Sequence, residues 1–249
     1  MGKKAAEQSR SERAAALVEH QRRQERRRRQ SVIAGVVAVL VVVVGVGYLV
    51  MTTRDSTGAT AATPPGLTDG YAVTVGEETA PTTLTFYEDP QCPVCADFEA
   101  QVGDDVARAV EDGTVEVEYR VVSFLDGASQ NRWSSRAANA LMVVQAEAGP
   151  EAFAELHRIL YENQPAEGTA GPSDAQLVAW AVEAGADEAA VRPGIEDGEY
   201  DQFVVNATDQ MSKDGVNGTP TVLVDGEMVE GTPGDAVAAV RDAISSAGS

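Results

Sequence analysis

The chain has 249 residues, 43% of them hydrophobic, and a formal net charge of −20. This length fits one domain with additional segments, and a domain of about 180 residues can bury a core without covalent staples. With two cysteines the chain can form at most one internal disulfide, which excludes a small disulfide-rich scaffold. The charge is uneven, since residues 1–31 contain ten Lys or Arg against four Asp or Glu, whereas residues 52–249 carry a net −26.

An uncharged stretch of twenty apolar residues, Val32 to Met51, follows the basic segment. In helical form it would span roughly 30 Å, the thickness of a bilayer core. We therefore expect a single transmembrane helix over residues 32–51. A cleaved secretory signal peptide is the alternative, with Ala59-Thr60-Ala61 as a conceivable cleavage site, although such apolar regions are usually shorter, about 7–15 residues.

The flanking charges predict the orientation of this span. The segment Arg22 to Gln30 is rich in arginine, whereas the other flank has only Arg54. Positive charge favours the cytoplasmic side, so residues 1–31 are predicted to be a cytoplasmic basic tail and the rest extracytoplasmic. The arginines beside an apolar span are read as a topology signal that could also contact anionic membrane lipid, and not as a nucleic-acid site.

Residues 52–70 are rich in Thr, Ala, Gly and Pro and are predicted to be a flexible linker. The folded domain is expected over residues 71–249. Its first clear strand is Thr82 to Glu88, followed by a helix from Pro93 whose apolar face repeats at four-residue steps. That face consists of Val94, Phe98, Val102, Val106 and Val110. A β-branched run from Thr114 to Leu125 predicts the second strand.

A helical block is predicted next, over about residues 127–197. Its helices are expected at Ser129 to Ala148, Pro150 to Asn163, Ser173 to Ala184 and Asp187 to Ile195, with a further helix from Tyr200 to Asp214. The larger apolar side chains of this block are interpreted as core: Trp133, Phe153, Leu156 and Trp180.

Near the C-terminus, Asp225-Gly226 lies between two apolar runs and predicts a β-hairpin. Thr232 and Pro233 then have the types expected at the N-cap and first position of a last helix. The predicted order is strand, cysteine pair, helix, strand, helical block, hairpin and helix.

The motif Cys92-Pro93-Val94-Cys95 carries the chemistry. Cys92 would precede the first turn of its helix, where free backbone N–H groups and the helix dipole favour a thiolate. Cys95 would lie one turn further, within disulfide range but more buried. We therefore expect Cys92 to be the nucleophile and Cys95 the resolving thiol of a redox pair.

Two other uses of the cysteines remain as alternatives. A structural disulfide would close a loop of only four residues, which gives little stabilisation. A zinc site needs about four ligands, and beyond the span the chain offers these two thiols and one imidazole, His157. No metal and no cofactor is expected.

With "DPQCPVC" after a strand and "GVNGTPTVLVDG" from Gly215 to Gly226, the sequence resembles the DsbA-like thiol–disulfide oxidoreductases of the thioredoxin superfamily over residues 71–247. The resemblance implies an α/β thioredoxin fold with a helical insertion, which fills much of the 125 positions between Cys95 and Pro220. It also implies that Pro220 is a cis-proline facing the cysteines and that the Thr219 backbone binds substrate peptide. A trans proline at the start of an edge strand is the alternative.

Three side chains near the motif could tune it. The best-known DsbA motif has histidine where this chain has Val94, which donates no hydrogen bond. Glu88 and Asp89 precede Cys92 and could raise its pKa or relay protons to Cys95. The interpretation that we favour for both, however, is that they are solvated carboxylates at the end of a strand.

These features predict a membrane-anchored, single-pass oxidoreductase that introduces disulfides into exported proteins. The resemblance implies reoxidation by a membrane quinone-linked thiol oxidase of the DsbB or VKOR-like kind. An extracytoplasmic reductase or isomerase, and a non-catalytic peptide-binding module, are the alternative functions.

Overall fold

The computed structural model describes residues 58–67 and 71–248. Within this part of the chain, no helix has both the length and the apolar composition required to cross a membrane. The predicted transmembrane helix over residues 32–51, the basic tail and residues 52–57 and 68–70 of the predicted linker lie outside the described residues.

The centre of the described part is a five-stranded mixed sheet with the order β1-β3-β2-β4-β5. The strands are β1 (Val73–Val75), β2 (Thr82–Glu88), β3 (Val115–Val121), β4 (Thr221–Val224) and β5 (Glu227–Met228). β2 is parallel to β3, whereas the β1–β3, β2–β4 and β4–β5 pairs are antiparallel. β2 is therefore central, and its buried residues point to both faces, as expected for a strand covered on both sides.

Helix α1 (Pro93–Glu111) leaves the end of β2 and packs against the sheet and against α6 (Pro233–Ala247). Phe98, Val102 and Val106 are buried as the four-residue repeat predicts. Val94, which we predicted on the same face, is instead 38% exposed. It lies in the first turn of the helix, directly after Pro93, and the helical period alone therefore does not predict its burial.

The helical insertion lies between β3 and β4. It contains α2 (Trp133–Glu162), α3 (Asp174–Glu183), α4 (Glu188–Asp197) and α5 (Asp201–Lys213). The side chains of Ser173 and Asp187 cap α3 and α4, which agrees with the predicted starts of these helices. Trp133, Phe153 and Leu156 are fully buried and Trp180 packs against the same core, so the interpretation of these four residues as core is confirmed.

Helix α2 consists of two arms that meet at Gly149, whose backbone is not helical (φ 86°, ψ −177°). Gly149 accepts this conformation and Pro150 begins the second arm, as the sequence predicts. In a straight helix Ser134 and His157 would be about 35 Å apart. They contact Asp89 and Glu88, which are adjacent residues. The break therefore reverses the helix and returns both arms to one end of the sheet.

The predicted second strand is too long at its C-terminal end. β3 ends at Val121, opposite Glu88, which is the last residue of β2. Beyond this point no partner strand continues, and the amide of Val122 donates to the carbonyl of Glu88 while the chain turns away. The β-branched composition of residues 121–122 therefore overestimates the strand.

The C-terminal elements follow their local signals. β4 and β5 form a hairpin, and Asp225 and Gly226 in its turn both have positive φ. Thr232 and Asp235 form a capping box at the start of α6, with Pro233 in the first turn.

Residues 58–67 lie within the predicted linker and contact the domain. The amide of Gly58 donates to Oδ1 of Asn206 (2.8 Å), and Nδ2 of Asn206 donates to the carbonyl of Ala59 (2.9 Å). Pro64 is buried. This part of the chain is thus held against helix α5.

Candidate active site

The two cysteines lie at the junction of β2 and α1. Cys92 is the N-cap of α1 and Pro93 occupies the first turn, where a missing N–H removes no helical hydrogen bond. The amides of Cys95 and Ala96 donate to the carbonyl of Cys92 at 3.1 and 3.2 Å, which starts the helix. The local sequence thus places the Cys92 sulfur at the positive end of the helix dipole.

The two thiols differ in environment. Cys92 is 4% exposed and Cys95 is fully buried, and neither forms a disulfide. The pKa of Cys92 is lowered to about 6 by hydrogen bonds from the Cys95 thiol, from the Thr219 side chain and from the amides of α1, which outweigh the opposing effect of burial. Burial, the hydrogen bond to Cys92 and the charge of Glu88 raise the pKa of Cys95 well above its ordinary value. One thiol is therefore readily ionised and the other is kept neutral.

Thr219 and Pro220 face this pair from the start of β4. The Cys92 thiol donates to the Thr219 carbonyl across 3.3 Å, and the Thr219–Pro220 peptide bond is cis. Both residues are partly exposed, so the surface beside Cys92 includes this turn.

Asp89 is fully buried, so the interpretation of it as a solvated carboxylate is wrong. Its Oδ1 accepts hydrogen bonds from the Gln91 amide (2.8 Å) and the Ser134 hydroxyl (2.6 Å), and its Oδ2 accepts one from the Leu125 amide (2.7 Å). Burial raises its pKa to about 6, against the opposing effect of these donors. We call Asp89 and its three donors the loop clamp, since they tie the loop before Cys92 to the segment after β3 and to α2.

Glu88 is 1% exposed, so the same interpretation is wrong for this residue too. Its Oε2 is 2.9 Å from Nε2 of His157, which comes from the second arm of α2. The Glu99 side chain of α1 reaches the same place, and one ligand-type atom from each of the three side chains lies within 4.8 Å of the others. Glu88 and His157 are buried and Glu99 is half-buried. We call Glu88, Glu99 and His157 the buried triad.

Burial raises the pKa of both carboxyl groups in the triad to about 8, and for Glu99 the charge of Glu88 adds to this effect. Burial also lowers the pKa of His157, which keeps the imidazole neutral. The two carboxyl groups of the triad therefore gain or lose protons near neutral pH, beside a neutral imidazole.

Further contacts hold the loop before Cys92 against the helical insertion. The Trp133 indole N–H donates to the Pro90 carbonyl (3.3 Å), and Nε2 of Gln164 lies 2.9 Å from that carbonyl and 3.0 Å from the Cys92 carbonyl. Nε2 of Gln91 donates to the Pro165 carbonyl (3.1 Å). The insertion thus positions the nucleophilic cysteine as well as covering the sheet.

Sequence reasoning missed Glu99, Ser134 and Gln164 and assigned no role to His157. Glu99 could have been found, since it lies one helical turn after Cys95 on the same helix face. His157 is the single histidine of residues 52–249, but nothing in its local sequence indicates the contact with Glu88.

The surface around Cys92 contains apolar side chains. Val94 is 38% and Phe124 is 52% exposed, while Leu125, the next residue, packs with Cys92, Cys95 and Tyr161. Such residues could contact a peptide that approaches Cys92.

Among the described residues, the buried triad is the one group of acidic, His or Cys side chains with the spacing of a metal site. Three donors are fewer than the four of a closed zinc site, and His157 is already hydrogen-bonded to Glu88. We assign no metal to it.

The geometry suits thiol–disulfide exchange. A thiolate at Cys92 could attack a disulfide sulfur, and Cys95 is placed to displace the partner by closing a disulfide with Cys92. Exchange in the opposite direction uses the same atoms.

Comparison with known proteins agrees with this chemistry. The thioredoxin family model matches residues 68–242. The disulfide bond oxidoreductase DsbG of Mycobacterium tuberculosis, in its reduced form, is 36% identical, with a TM-score of 0.61 over 72% of this chain and 92% of that chain. DsbA of the same organism is 34% identical, with a TM-score of 0.60 over 71% and 97% of the two chains.

A curated relative, the serine/threonine-protein kinase PknE of M. tuberculosis, is 33% identical over 170 residues, which is 66% of this chain. The match covers 30% of the kinase's length. The family match, the two oxidoreductase structures and the paired thiols together establish that the chain belongs to the thioredoxin family and that residues 68–242 are a DsbA-like protein-disulfide oxidoreductase domain.

Proposed function

We propose that the protein exchanges disulfides with client proteins through Cys92 as nucleophile and Cys95 as resolving thiol. The observation that carries this assignment is the opposite perturbation of the two thiols, since the pKa of Cys92 is lowered to about 6 while that of buried Cys95 is raised. The Cys92 thiolate reacts with the client, and the neutral Cys95 thiol reacts only inside the mixed disulfide.

Cys95 must lose a proton before it attacks Cys92, and Glu88 is the better placed acceptor. Both carboxylate oxygens of Asp89 already accept hydrogen bonds from its three donors in the loop clamp. Oε1 of Glu88 is buried without a hydrogen-bond partner among the described residues, and the charge of Glu88 acts on Cys95. Glu88 thus serves as proton acceptor and Asp89 serves as a structural group.

The client peptide binds beside Cys92, along the Thr219 backbone and Pro220, with Val94 and Phe124 as apolar contacts. This placement is supported by the exposure of both side chains, since Val94 is two residues after Cys92 and Phe124 precedes Leu125, which packs against the two cysteines. Pro93 and Val94 tune the thiolate by their position in the first turn of α1.

In this proposal the domain is extracytoplasmic, a single span over residues 32–51 anchors it, and the clients are exported proteins. The support is the apolar stretch with its arginine-rich flank, and the fact that disulfides persist outside the cytoplasm. A membrane quinone-linked thiol oxidase would regenerate the disulfide after each oxidation.

The net direction has a second candidate, reduction or isomerisation, which one observation favours. The Cys92 pKa of about 6 lies closer to that of thioredoxin, roughly 7, than to that of DsbA, roughly 3.5. Val94 supplies no hydrogen bond that would lower it further. We therefore expect a reduction potential between about −270 mV and −120 mV, and nearness to the second value identifies an oxidase.

A trapping experiment tests the exchange itself. Cys95→Ala leaves the nucleophile but removes the resolving thiol, so client proteins should accumulate in mixed disulfides on Cys92 that a reductant releases. Adducts are counted on non-reducing gels from cells that express the full chain, and Cys92→Ala with Cys95→Ala is the matched control.

If Cys95→Ala yields no more adducts than this control and a deletion strain forms its exported disulfides normally, the proposal is wrong. A double Cys→Ser variant that retains full function in cells would favour the peptide-binding module. Labelling of Cys92 by a membrane-impermeant maleimide in intact cells tests the location.

A further inference from the structure

The buried triad joins three elements that are distant in sequence. Glu88 ends β2, Glu99 lies in α1, and His157 lies in the second arm of α2, within the helical insertion. The hydrogen bond between His157 and Glu88 connects residues 69 positions apart. The insertion therefore places one ionisable group directly against the proposed proton acceptor of Cys95.

The triad is not fully paired. Within the described part of the chain, Oε1 of Glu88, Oε1 of Glu99 and the Tyr161 hydroxyl are buried and have no hydrogen-bond partner. Buried polar atoms of this kind are uncommon in stable cores. Two carboxylates this close inside a protein cannot both stay ionised, so the pair retains at least one proton that can move between them.

Every element packed around the triad contributes a titratable group. β2 gives Glu88, the loop after it gives Asp89 and Cys92, α1 gives Cys95 and Glu99, β3 gives Tyr119, and α2 gives His157 and Tyr161. The His157 ring lies 4.6 Å from that of Tyr119 and 4.9 Å from that of Tyr161. Burial raises the pKa of both tyrosines well above the ordinary value, so they remain neutral at physiological pH. No Lys or Arg belongs to the triad, so neutral donors must stabilise its negative charge.

We propose that His157 is a positioning residue for thiol exchange: by donating Nε2–H to Glu88 it stabilises the ionised form of that carboxylate, which accepts the proton of Cys95. Protonated Glu99 is the second donor to the same carboxylate. This inference rests on the proposed function and assigns the helical insertion a part in the chemistry.

The proton step balances with the sulfur chemistry. In a mixed disulfide between Cys92 and a client, Cys95 gives its proton to Glu88 and becomes a thiolate. The thiolate attacks the Cys92 sulfur, the Cys92–Cys95 bond forms, and the bond to the client breaks as the client sulfur leaves with the electron pair. When the oxidised protein accepts a client thiolate at Cys92, the steps run in reverse and Glu88 returns the proton to Cys95.

The pH dependence of the step in which Cys95 attacks the Cys92 sulfur, the second step of the exchange, should report on His157. Without its N–H, the ionised form of Glu88 loses a donor and its pKa rises further above the present value of about 8. Fewer molecules would then hold an acceptor at neutral pH. A rise of one pKa unit would slow the step about tenfold.

Reaction of the reduced protein with 5,5′-dithiobis(2-nitrobenzoate) separates the two steps. The first thionitrobenzoate is released when Cys92 attacks the reagent, and the second is released when Cys95 closes the disulfide. We expect His157→Leu to slow the second release about tenfold at neutral pH and to move its midpoint up by about one pH unit. The first release should change less than about threefold, and His157→Gln, which retains an N–H donor, should restore most of the second.

Controls distinguish the possible failures. Asp97→Asn on α1, an exposed acid two residues from Cys95, should alter neither phase. Loss of the first release in the wild type would contradict the proposed function, and an unchanged second release in Glu88→Gln would contradict the role of Glu88. If Glu88→Gln is slow but His157→Leu behaves as wild type, the inference about His157 is wrong.

Two further measurements apply even if His157→Leu does not fold. In nitrogen NMR of the wild type, His157 should be the neutral Nε2–H tautomer, with a signal that titrates together with the second release. A cationic imidazole, or a signal that does not change over that range, would overturn the inference. Removal of the pH effect by a chelator, with recovery on adding Zn²⁺, would show that a metal and not a proton occupies the triad and would also overturn it.

Discussion

Glu88 and Asp89 are consecutive buried acids, yet the regions around them differ in the donors that they provide. In the loop clamp, two amides and one hydroxyl are directed at Asp89 and both of its oxygens are occupied. In the buried triad, Glu88 meets one imidazole and a second carboxyl group, and one oxygen has no partner among the described residues. A carboxylate surrounded by fixed donors stabilises structure, whereas one that faces another acid can exchange protons.

Asp89→Asn should give the largest loss of stability, because an amide nitrogen at either oxygen position would face a donor. We expect the free energy of unfolding of the reduced protein to fall by about 2–4 kcal/mol. Urea denaturation measures this, with exposed Asp97→Asn as the matched control. A loss no larger than that of the control would mean that the clamp does not stabilise the loop.

Gly171→Ala should disturb a second contact of the loop before Cys92, the one that the Trp133 indole makes. A Cβ at Gly171 would lie 2.7 Å from the Trp133 ring, whose N–H binds the Pro90 carbonyl. Displacing this buried ring should cost about 1–3 kcal/mol. Gly127→Ala, where a Cβ meets no atom within 4 Å, is the control for thermal or urea unfolding. Equal stability of the two variants would show that the indole can move freely.

Glu88→Gln should change the pH dependence of stability. The folded-state pKa of Glu88 is raised from 4.5 to about 8, so the stability from its bound proton is complete below pH 4.5 and is lost as the pH rises through 8. Between these values the reduced wild type should lose up to about 1.4 kcal/mol per pH unit relative to Glu88→Gln.

Unfolding curves of both proteins at several pH values give this difference, and subtracting one from the other removes the opposite contribution of Cys92. Glu183→Gln, at an exposed position, should follow the wild type. Parallel stability curves for the wild type and Glu88→Gln would contradict the assigned environment of Glu88.

Val94→His should give the smallest effect, since this position lies outside both regions and is 38% exposed. A protonated or hydrogen-bonding imidazole should lower the pKa of Cys92 by up to about one unit. Stability should stay within about 0.5 kcal/mol. The rate of iodoacetamide alkylation against pH measures the thiol pKa, with Val94→Thr as the control of similar shape. A fall in the free energy of unfolding of more than about 0.5 kcal/mol would show that Val94 packs more than its exposure suggests.

The sequence predicts the elements with local signals well. The break at Gly149, the caps at Ser173 and Thr232 and the turn at Asp225-Gly226 each depend on a few neighbouring residues. The position of the cysteines at the start of α1 is predicted for the same reason.

The burial of Glu88 and Asp89 could not be predicted in this way. Their partners Ser134 and His157 lie 45 and 69 positions away in the helical insertion. Local composition shows two acids at a strand end, which are exposed in most proteins, and only the packing of the insertion changes that environment. The end of β3 is a similar case, since it depends on where β2 stops.

The reversal of α2 at Gly149 has a consequence for how this domain could be shortened or recombined. Each arm delivers one side chain to one of two adjacent acids, so deleting the insertion would remove one partner from each acid at once. The helical insertion is therefore not a module that can be exchanged independently of the sheet and the cysteine-bearing helix α1. A chimaera that replaces the insertion alone would need compensating changes at residues 88 and 89. In this domain the insertion and the part that carries the cysteines must therefore be inherited together.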